Sequence, residues 1–145
     1  MRIEDRIAEI SRRLRQLKES VLVVEKDAFL ENHNLMAATE RHIQVAIQAC
    51  MDIASHIVAQ MALEKPQREN KEIFNILADQ SIIDTSLANR LVSMGGMRNV
   101  LVHNYLDVDD KKVYDAVKND LKDIEAFVKQ IQEFIDKQQN NKKIV

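Results

Sequence analysis

Five polar side chains that can move protons or bind phosphate lie in one short stretch of the sequence, which ends at Tyr105. In order they are Arg98, Asn99, His103, Asn104 and Tyr105. A histidine with a pKa of about 6.5 can take a proton from a 2′-hydroxyl group or give one to a leaving 5′-oxygen. An arginine can bind phosphate through two N–H donors and stabilise a five-coordinate transition state, and a tyrosine can position a phosphate oxygen or stack on a base. These residue types suit the cleavage of RNA by its own 2′-hydroxyl group without a metal ion.

The same side chains also fit a purely structural role, which the residue types leave open. His103 can be a satisfied histidine at the C-terminus of a helix, where the helix dipole favours imidazolium, with Arg98 and Tyr105 at an interface. Catalysis adds a requirement, because in-line cleavage needs both a base and an acid, while each chain supplies one motif histidine. A symmetric dimer that brings two copies of the motif together would supply both.

The spacing of Arg98 and His103 constrains the helix that carries them. Each residue of an α-helix turns by about 100°, so these two side chains would point about 140° apart on a continuous helix. We therefore expect the helix to end or bend near His103. Both glycines of the chain, Gly95 and Gly96, lie just before the motif, and each costs a helix interior about 1 kcal/mol relative to alanine. Two in a row predict either a kink or a close approach of another backbone.

Apolar residues recur every three or four positions over most of the chain, which is typical of amphipathic helices. Two glycines, one proline and 4% aromatic residues leave little turn or strand chemistry, so the pattern favours an all-α fold. The predicted helices are residues 3–26, residues 35–63 after a polar interruption over 27–34, residues 69–79 after Pro66, a helix that starts at an N-cap on Asp84, and a last helix capped by Asp107 or Asp109. We predict a bundle of four main helices plus a short extra helix, in a single domain over residues 1–145 whose tail, 138–145, is frayed.

The second predicted helix combines apolar residues on most of its circumference with a narrow polar stripe. The apolar positions predict that this helix is the buried centre of the bundle. The stripe consists of Arg41, Gln44, Gln48, Asp52 and His56. Polar groups are rarely buried without partners, so we expect the stripe to face solvent, to face a second subunit or to form an internal network.

A second polar surface, on the first predicted helix, is basic. It consists of Arg6, Arg12, Arg13, Arg15 and Lys18. This pattern fits either a solvated face or a surface that follows RNA phosphates. The histidines outside the motif, His42 and His56, lack the His-x-x-x-His spacing and the nearby carboxylate or thiolate partners of a zinc site. We therefore expect no metal site, and the lack of a glycine-rich phosphate loop predicts no bound cofactor.

The overall charge and the N-terminal residues indicate how the protein could attract RNA and where in the cell we expect it. The formal net charge of −2 provides no general basic field, so any attraction to RNA has to be local. The N-terminal residues are charged and lack the apolar run of a signal peptide, and no segment approaches the roughly 18 apolar residues of a membrane span. The only cysteine, Cys50, excludes an internal disulfide. We expect a cytoplasmic protein without membrane association.

Two segments of the sequence resemble the HEPN superfamily, and more closely the HepT toxins of HepT–MntA toxin–antitoxin pairs. Residues 40–56 resemble the second helix of that group, and residues 94–105 resemble its active-site segment, with the spacing Arg-x-x-x-x-His-x-Tyr. The resemblance covers most of the chain. It implies a helical-bundle homodimer with endoribonuclease activity, in which Arg98 and His103 act across the subunit interface and Asn99 supports the arginine.

The resemblance also implies a partner and a modification. HepT toxins are silenced by a cognate MntA-like nucleotidyltransferase antitoxin that attaches AMP to the motif tyrosine, here Tyr105, in a hetero-oligomer with the toxin. An adenylyl group adds bulk and negative charge, which would compete for Arg98 and repel RNA. Gln48 departs from the family pattern, because related sequences often carry an acidic residue there. The alternative function is a non-catalytic interaction or substrate-binding module for a nucleotidyltransferase.

Overall fold

The computed structural model describes residues 1–103 and 108–144, apart from the side chains of His103 and residues 142–144. The α-helices are α1 (Ile3–Ser20), α2 (Lys26–Leu30), α3 (His33–Gln60), α4 (Ile73–Asp79), α5 (Thr85–His103) and α6 (Asp110–Ile144). A 3₁₀ turn, Asn70–Glu72, precedes α4. The described residues contain no β-strand, which confirms the predicted all-α fold. None of the described helices is both long and apolar enough to cross a membrane.

Helix α3 is the centre of the bundle, as its apolar pattern predicts. All the other helices in the described part of the chain pack against it. Its buried apolar side chains are Met36, Ile43, Ala46, Ile47, Ala49, Cys50, Met51, Ile53, Ala54, Ile57 and Val58. Burial of one large aliphatic side chain stabilises a fold by about 1.5–3 kcal/mol, so α3 contributes a large share of the core.

A short helix occupies part of the segment that the sequence predicts as a polar interruption. Helix α1 ends at Ser20, earlier than predicted, and α2 follows. The side chain of Phe29 in α2 is fully buried, and its ring centroid lies 5.2 Å from that of Tyr114 in α6. The Tyr114 hydroxyl donates a hydrogen bond to the carbonyl oxygen of Val24 at 2.7 Å. This helix depends on contacts with α6, which the local sequence pattern does not contain.

Side-chain caps define the starts of the last two helices. Asp84 accepts a hydrogen bond from the backbone N–H of Leu87 at 2.7 Å, which confirms the predicted N-cap of α5. Asp109 accepts one from the N–H of Lys111 at 3.0 Å at the start of α6. The alternative cap, Asp107, lies outside the described residues. Residue 103 is the last described residue of α5, so the predicted end or bend of the helix near His103 stays a prediction.

The last helix, α6, extends through Ile144. Its tail contains neither glycine nor proline, so no residue in it interrupts the helix. The predicted fraying of residues 138–145 stays a prediction. Helices α1, α3, α5 and α6 are the four main helices and α4 is the short one, while α2 is an addition that was not predicted. The single-domain organisation over residues 1–145 stays a prediction.

Gly95 allows a close approach between α5 and the 3₁₀ turn. A β-carbon placed on Gly95 would lie 2.6 Å from the β-carbon of Lys71, well inside the optimal separation of two carbon atoms. A β-carbon on Gly96 would lie 3.6 Å from Nζ of Lys71, which is an ordinary contact. Helix α5 continues through both glycines. Of the two predicted explanations for the glycines, the close approach therefore holds, and it holds at Gly95.

A pair of carboxyl groups joins α3 to the start of α6. The carboxyl group of Glu40 lies beside that of Asp110, the first residue of α6. Partial burial and the neighbouring Asp110 carboxyl group raise the pKa of Glu40 from its ordinary value of 4.5 to about 7. The folded structure therefore favours the protonated form of Glu40 below neutral pH.

Gly95→Ala and Gly96→Ala are expected to change stability in opposite directions. The methyl group added at position 95 overlaps Lys71 and should lower the free energy of unfolding by about 1–3 kcal/mol, as overpacking does. At position 96 the methyl group has room, and the smaller freedom of the unfolded chain should raise the free energy of unfolding by about 0.5–1 kcal/mol. Urea denaturation of both variants measures these changes. Equal stabilisation by the two substitutions would contradict the close contact.

Glu40→Gln is expected to stabilise the fold at pH 8 and to have little effect at pH 5. The folded protein retains a proton on Glu40 that the unfolded chain releases between pH 4.5 and about 7, so wild-type stability falls as pH rises through this range. Glutamine removes that loss, which is about 1 kcal/mol after allowance for solvent screening of a partly exposed group. Urea denaturation at both pH values measures the difference. The control is Glu31→Gln, at an exposed position after α2, and an equal effect of Glu40→Gln at both pH values would contradict the raised pKa.

Candidate active site

Three of the five motif residues lie in the last described turns of α5. Arg98 and Asn99 are within this helix and His103 is its final residue. The Nη1 group of Arg98 donates a hydrogen bond to Oδ1 of Asn99 at 3.2 Å. Asn104 and Tyr105 lie outside the described residues, and so does the side chain of His103. The structure brings Arg98 and Asn99 together, while a common site with His103 and Tyr105 stays a prediction.

The guanidinium group of Arg98 is only partly satisfied within the described residues. The residue is half-buried, and its buried Nε has no hydrogen-bond acceptor among them. A buried donor without an acceptor costs about 1–3 kcal/mol. An acceptor supplied by a bound anion, by a second subunit or by the segment after α5 would remove this cost.

An open cleft of about 730 Å³ borders Arg98 and Asn99, and we refer to it as the Arg98 cleft. Its other walls come from α3 and from the connection between α3 and α4. The polar lining residues on these walls include Gln48, Asp52, Ser55, Lys65, Arg68 and Glu69. The volume is in the range of cavities that hold small ligands, so Arg98 borders a space that can accept part of a nucleic-acid strand.

The polar stripe of α3 contributes to this cleft and to an internal network. Gln48 Nε2 donates a hydrogen bond to Oδ1 of Asp52 at 2.8 Å, and Oδ2 of Asp52 lies 3.4 Å from Nε of Arg6 in α1. A smaller cavity of about 290 Å³ between α1 and α3 is lined by Arg41 and Gln44. Of the three predicted environments, an internal network holds for Gln48 and Asp52, while Arg41 is exposed to solvent.

Neighbouring carboxylates neutralise most of the basic face of α1. The ion pairs are Arg6 with Asp52, Arg12 and Arg13 with Glu9, and Lys18 with Glu125 of α6. Within the described residues, Arg15 is the one member of this face without an ion pair. This face therefore fits a solvated surface better than a surface that follows RNA phosphates.

His42 and Cys50, which lie outside the motif, have environments that disfavour catalysis. Nδ1 of His42 lies 3.1 Å from Nη1 of Arg13, and burial and the arginine charge lower the pKa of His42, so a neutral Nδ1 accepts the hydrogen bond. Burial raises the pKa of the Cys50 thiol, which disfavours a nucleophilic thiolate. Within residues 1–103 and 108–144, no three side chains of the metal-ligating types converge on a point that could hold a metal ion.

The connection between α3 and α4 is the part of the cleft that sequence reasoning missed. In the sequence, the distinctive residues of this connection are Lys65 and Arg68 on either side of Pro66. Such a pattern is typical of an ordinary polar turn. It reaches the cleft because the 3₁₀ turn that follows it packs on Gly95. The double glycine is a signal of a close approach, but it does not identify the segment that approaches.

Known proteins similar to this chain were found from both sequence and structure. The profile of the family described as Ribonuclease HepT-like matches residues 10–131. The mRNA nuclease HepT of Shewanella oneidensis is 30% identical over 126 residues, which cover 87% of this chain and 92% of that protein. The tRNA nuclease HepT of Aphanizomenon flos-aquae is 32% identical over 133 residues, which cover 92% of this chain and 89% of that protein. The solved structure of the tri-AMPylated Shewanella oneidensis HEPN toxin in complex with MNT antitoxin matches with a TM-score of 0.82 at 30% identity, over 90% of this chain and 96% of that chain.

These likenesses extend over the helices that build the cleft as well as over the motif. The solved toxin has the same helical arrangement, which confirms the HEPN-like bundle. The family profile spans both segments that carry the resemblance, residues 40–56 and 94–105. Because the profile and both relatives cover most of the sequence, the chain belongs to the Ribonuclease HepT-like family.

Proposed function

We propose that the protein is an endoribonuclease toxin of a toxin–antitoxin pair and that it cleaves RNA without a metal ion. The observation that carries this proposal is Arg98, hydrogen-bonded to Asn99 on the wall of an open cleft, less than two turns before the last described residue of α5. Two relatives that align over most of the chain are named as mRNA and tRNA nucleases. A solved relative is a toxin in complex with its antitoxin. These likenesses support both the activity and the toxin role.

Cleavage uses the 2′-hydroxyl group of the RNA as the nucleophile. His103 takes the hydroxyl proton as the 2′-oxygen attacks the phosphorus atom, and a second histidine gives a proton to the 5′-oxygen as the P–O5′ bond breaks. Arg98 donates hydrogen bonds to the phosphate oxygens and stabilises their added negative charge. Asn99 orients the guanidinium group, and Tyr105 positions a phosphate oxygen or stacks on a base. The products carry a 2′,3′-cyclic phosphate and a 5′-hydroxyl group.

The second histidine comes from a second copy of the chain. Positions 98 and 103 of one helix point about 140° apart, so helix geometry alone does not bring Arg98 and His103 of one subunit to the same point. A symmetric homodimer places two motifs at one interface and supplies both the acid and the base. Val100, which lies between the two positions on α5, is exposed although it is apolar, and this supports a subunit interface here.

The proposed regulation is AMPylation of Tyr105 by a cognate MntA-like nucleotidyltransferase antitoxin. The Tyr105 hydroxyl oxygen attacks the α-phosphorus of ATP, pyrophosphate leaves, and the hydroxyl proton passes to solvent. The new phosphodiester carries a negative charge, which competes with RNA for Arg98 and repels the RNA backbone. The tri-AMPylated state of the Shewanella oneidensis toxin, in complex with MNT antitoxin, supports this regulation. Toxin and antitoxin then form a hetero-oligomer in the cytoplasm.

The activity is tested with the AMP-free dimer, its His103→Ala variant and total cellular RNA in the presence of EDTA. We expect the wild-type protein to leave fragments with 2′,3′-cyclic phosphate ends, and the variant to cleave about 10²–10⁴-fold more slowly because it lacks the acid–base group. The matched control, His33→Ala at an exposed position on α3, should cleave like the wild type. Full activity of His103→Ala would exclude its proposed role. An inactive wild-type dimer would favour a non-catalytic module that binds a nucleotidyltransferase.

Tyr105→Phe is expected to abolish AMPylation by the antitoxin, because phenylalanine lacks the acceptor hydroxyl group. The other tyrosine of the chain, Tyr114, is buried, and its hydroxyl donates a hydrogen bond to Val24. Tyr114→Phe is therefore the control, and this variant should still accept AMP. Intact-protein mass spectrometry after incubation with ATP and antitoxin measures the added groups. AMP on the Tyr105→Phe variant would contradict the assignment.

A further inference from the structure

The connection between α3 and α4 brings two cationic side chains to the Arg98 cleft. Lys65 and Arg68 line the cleft together with Arg98 and Asn99. The side chains of Lys65 and Arg68 are both exposed. Among the described residues, neither has a carboxylate oxygen within 4.0 Å of its charged nitrogen atoms. The cleft therefore carries accessible positive charge on the wall that belongs to the connection as well as on the wall that belongs to α5.

Packing of the 3₁₀ turn on α5 fixes this connection beside the motif. Lys71 of the turn is in close contact with Gly95, at 2.6 Å from the position of a β-carbon there. Gly95 precedes Arg98 by three residues and Asn99 by four, and residues at these separations share one face of a helix. The turn is thus held on the face of α5 that carries Arg98 and Asn99. A β-carbon at position 95 would push the turn, and the cationic connection before it, away from Arg98.

The two acidic residues of the cleft already have cationic partners. Glu69 Oε2 lies 3.3 Å from Nζ of Lys71, and Asp52 Oδ2 lies 3.4 Å from Nε of Arg6. Neither partner is among the residues that line the cleft. Cations outside the cleft therefore neutralise its two carboxylates. The cationic side chains on its walls, Lys65, Arg68 and Arg98, remain available to a ligand. This arrangement differs from the basic face of α1, where neighbouring carboxylates neutralise most of the charge.

We propose that Lys65 and Arg68 bind the phosphates of the RNA strand that flank the scissile phosphate at Arg98. This proposal rests on the ribonuclease function proposed above and identifies the surface that holds the substrate. Contacts to phosphates fix the register of a strand without reading its bases. They also supply the local attraction that a chain with a net charge of −2 needs in order to bind RNA.

An RNA strand fits this surface better than an acidic protein surface does, because the cations line a concavity. A protein interface of standard size needs an extended contact area of about 800 Å² on each partner. A single strand needs a groove with cations along its walls. The cleft of about 730 Å³, with Lys65 and Arg68 on one wall and Arg98 on another, has that form.

The test compares RNA binding by two double variants that lose the same charge. Lys65→Gln with Arg68→Gln removes the proposed contacts. Arg15→Gln with Lys129→Gln removes one arginine and one lysine from exposed positions on α1 and α6 that lie outside the cleft. Both are made in the full-length protein with His103→Ala, so that binding is measured without cleavage. The probe is a fluorescent single-stranded RNA oligonucleotide, titrated at several salt concentrations.

Loss of two phosphate contacts has a defined signature in the salt dependence. For single strands, the slope of log K against log salt concentration falls by about 0.7 per contact, so the cleft variant should lose about 1.4 from its slope. We also expect its affinity at low salt to fall by about tenfold or more. The matched variant on α1 and α6 should keep the slope of its parent. Replacement of Lys65 by arginine and of Arg68 by lysine should restore the slope, because the charges return.

Other outcomes overturn the proposal without ambiguity. An unchanged slope in the cleft variant, or equal loss in both double variants, would exclude a local phosphate site. If the cleft variant binds RNA normally but no longer binds the antitoxin, the surface belongs to the antitoxin. If the wild-type protein cleaves RNA while the cleft variant binds like its parent, the proposed function stands and only this inference fails.

Discussion

Burial of α3 on almost every side is the constraint on which the rest of the structure depends. A helix in the centre of a bundle has little solvent for its polar side chains, so each needs a partner on a neighbouring helix or a place beside a cavity. Asp52 pairs with Arg6, Glu40 lies beside the carboxyl group of Asp110, and Gln48 borders the Arg98 cleft. The polar side chains that α3 contributes to the candidate site therefore lie where this helix is not completely buried.

Elements defined by their own local sequence could be predicted, and those defined by distant contacts could not. The spacing of apolar residues identified α3 as the centre, and a capping carboxylate at Asp84 identified the start of α5. By contrast, α2 was missed because its buried anchor, Phe29, packs on Tyr114, far along the chain.

The residues of the candidate site also fall into two groups, those that the sequence predicts and those that only the structure reveals. The order of motif residues and the resemblance to HepT toxins indicate Arg98, Asn99, His103 and Tyr105, and the structure adds the contact between the first two. No sequence pattern connects the residues of the α3–α4 connection to the motif, because their proximity results from packing between a 3₁₀ turn and α5. Net charge is equally uninformative, since a sum over the whole chain conceals which charges are paired and which are accessible.

The contact between Gly95 and Lys71 makes the effects of mutations at these two positions epistatic. Any larger residue at position 95 requires the opposing backbone to retreat, so it would be tolerated better together with a glycine at position 71 than alone. The 3₁₀ turn contains none of the motif residues, yet it restricts which residues can replace Gly95. A directed-evolution library that varies position 95 without position 71 would therefore sample mostly strained proteins.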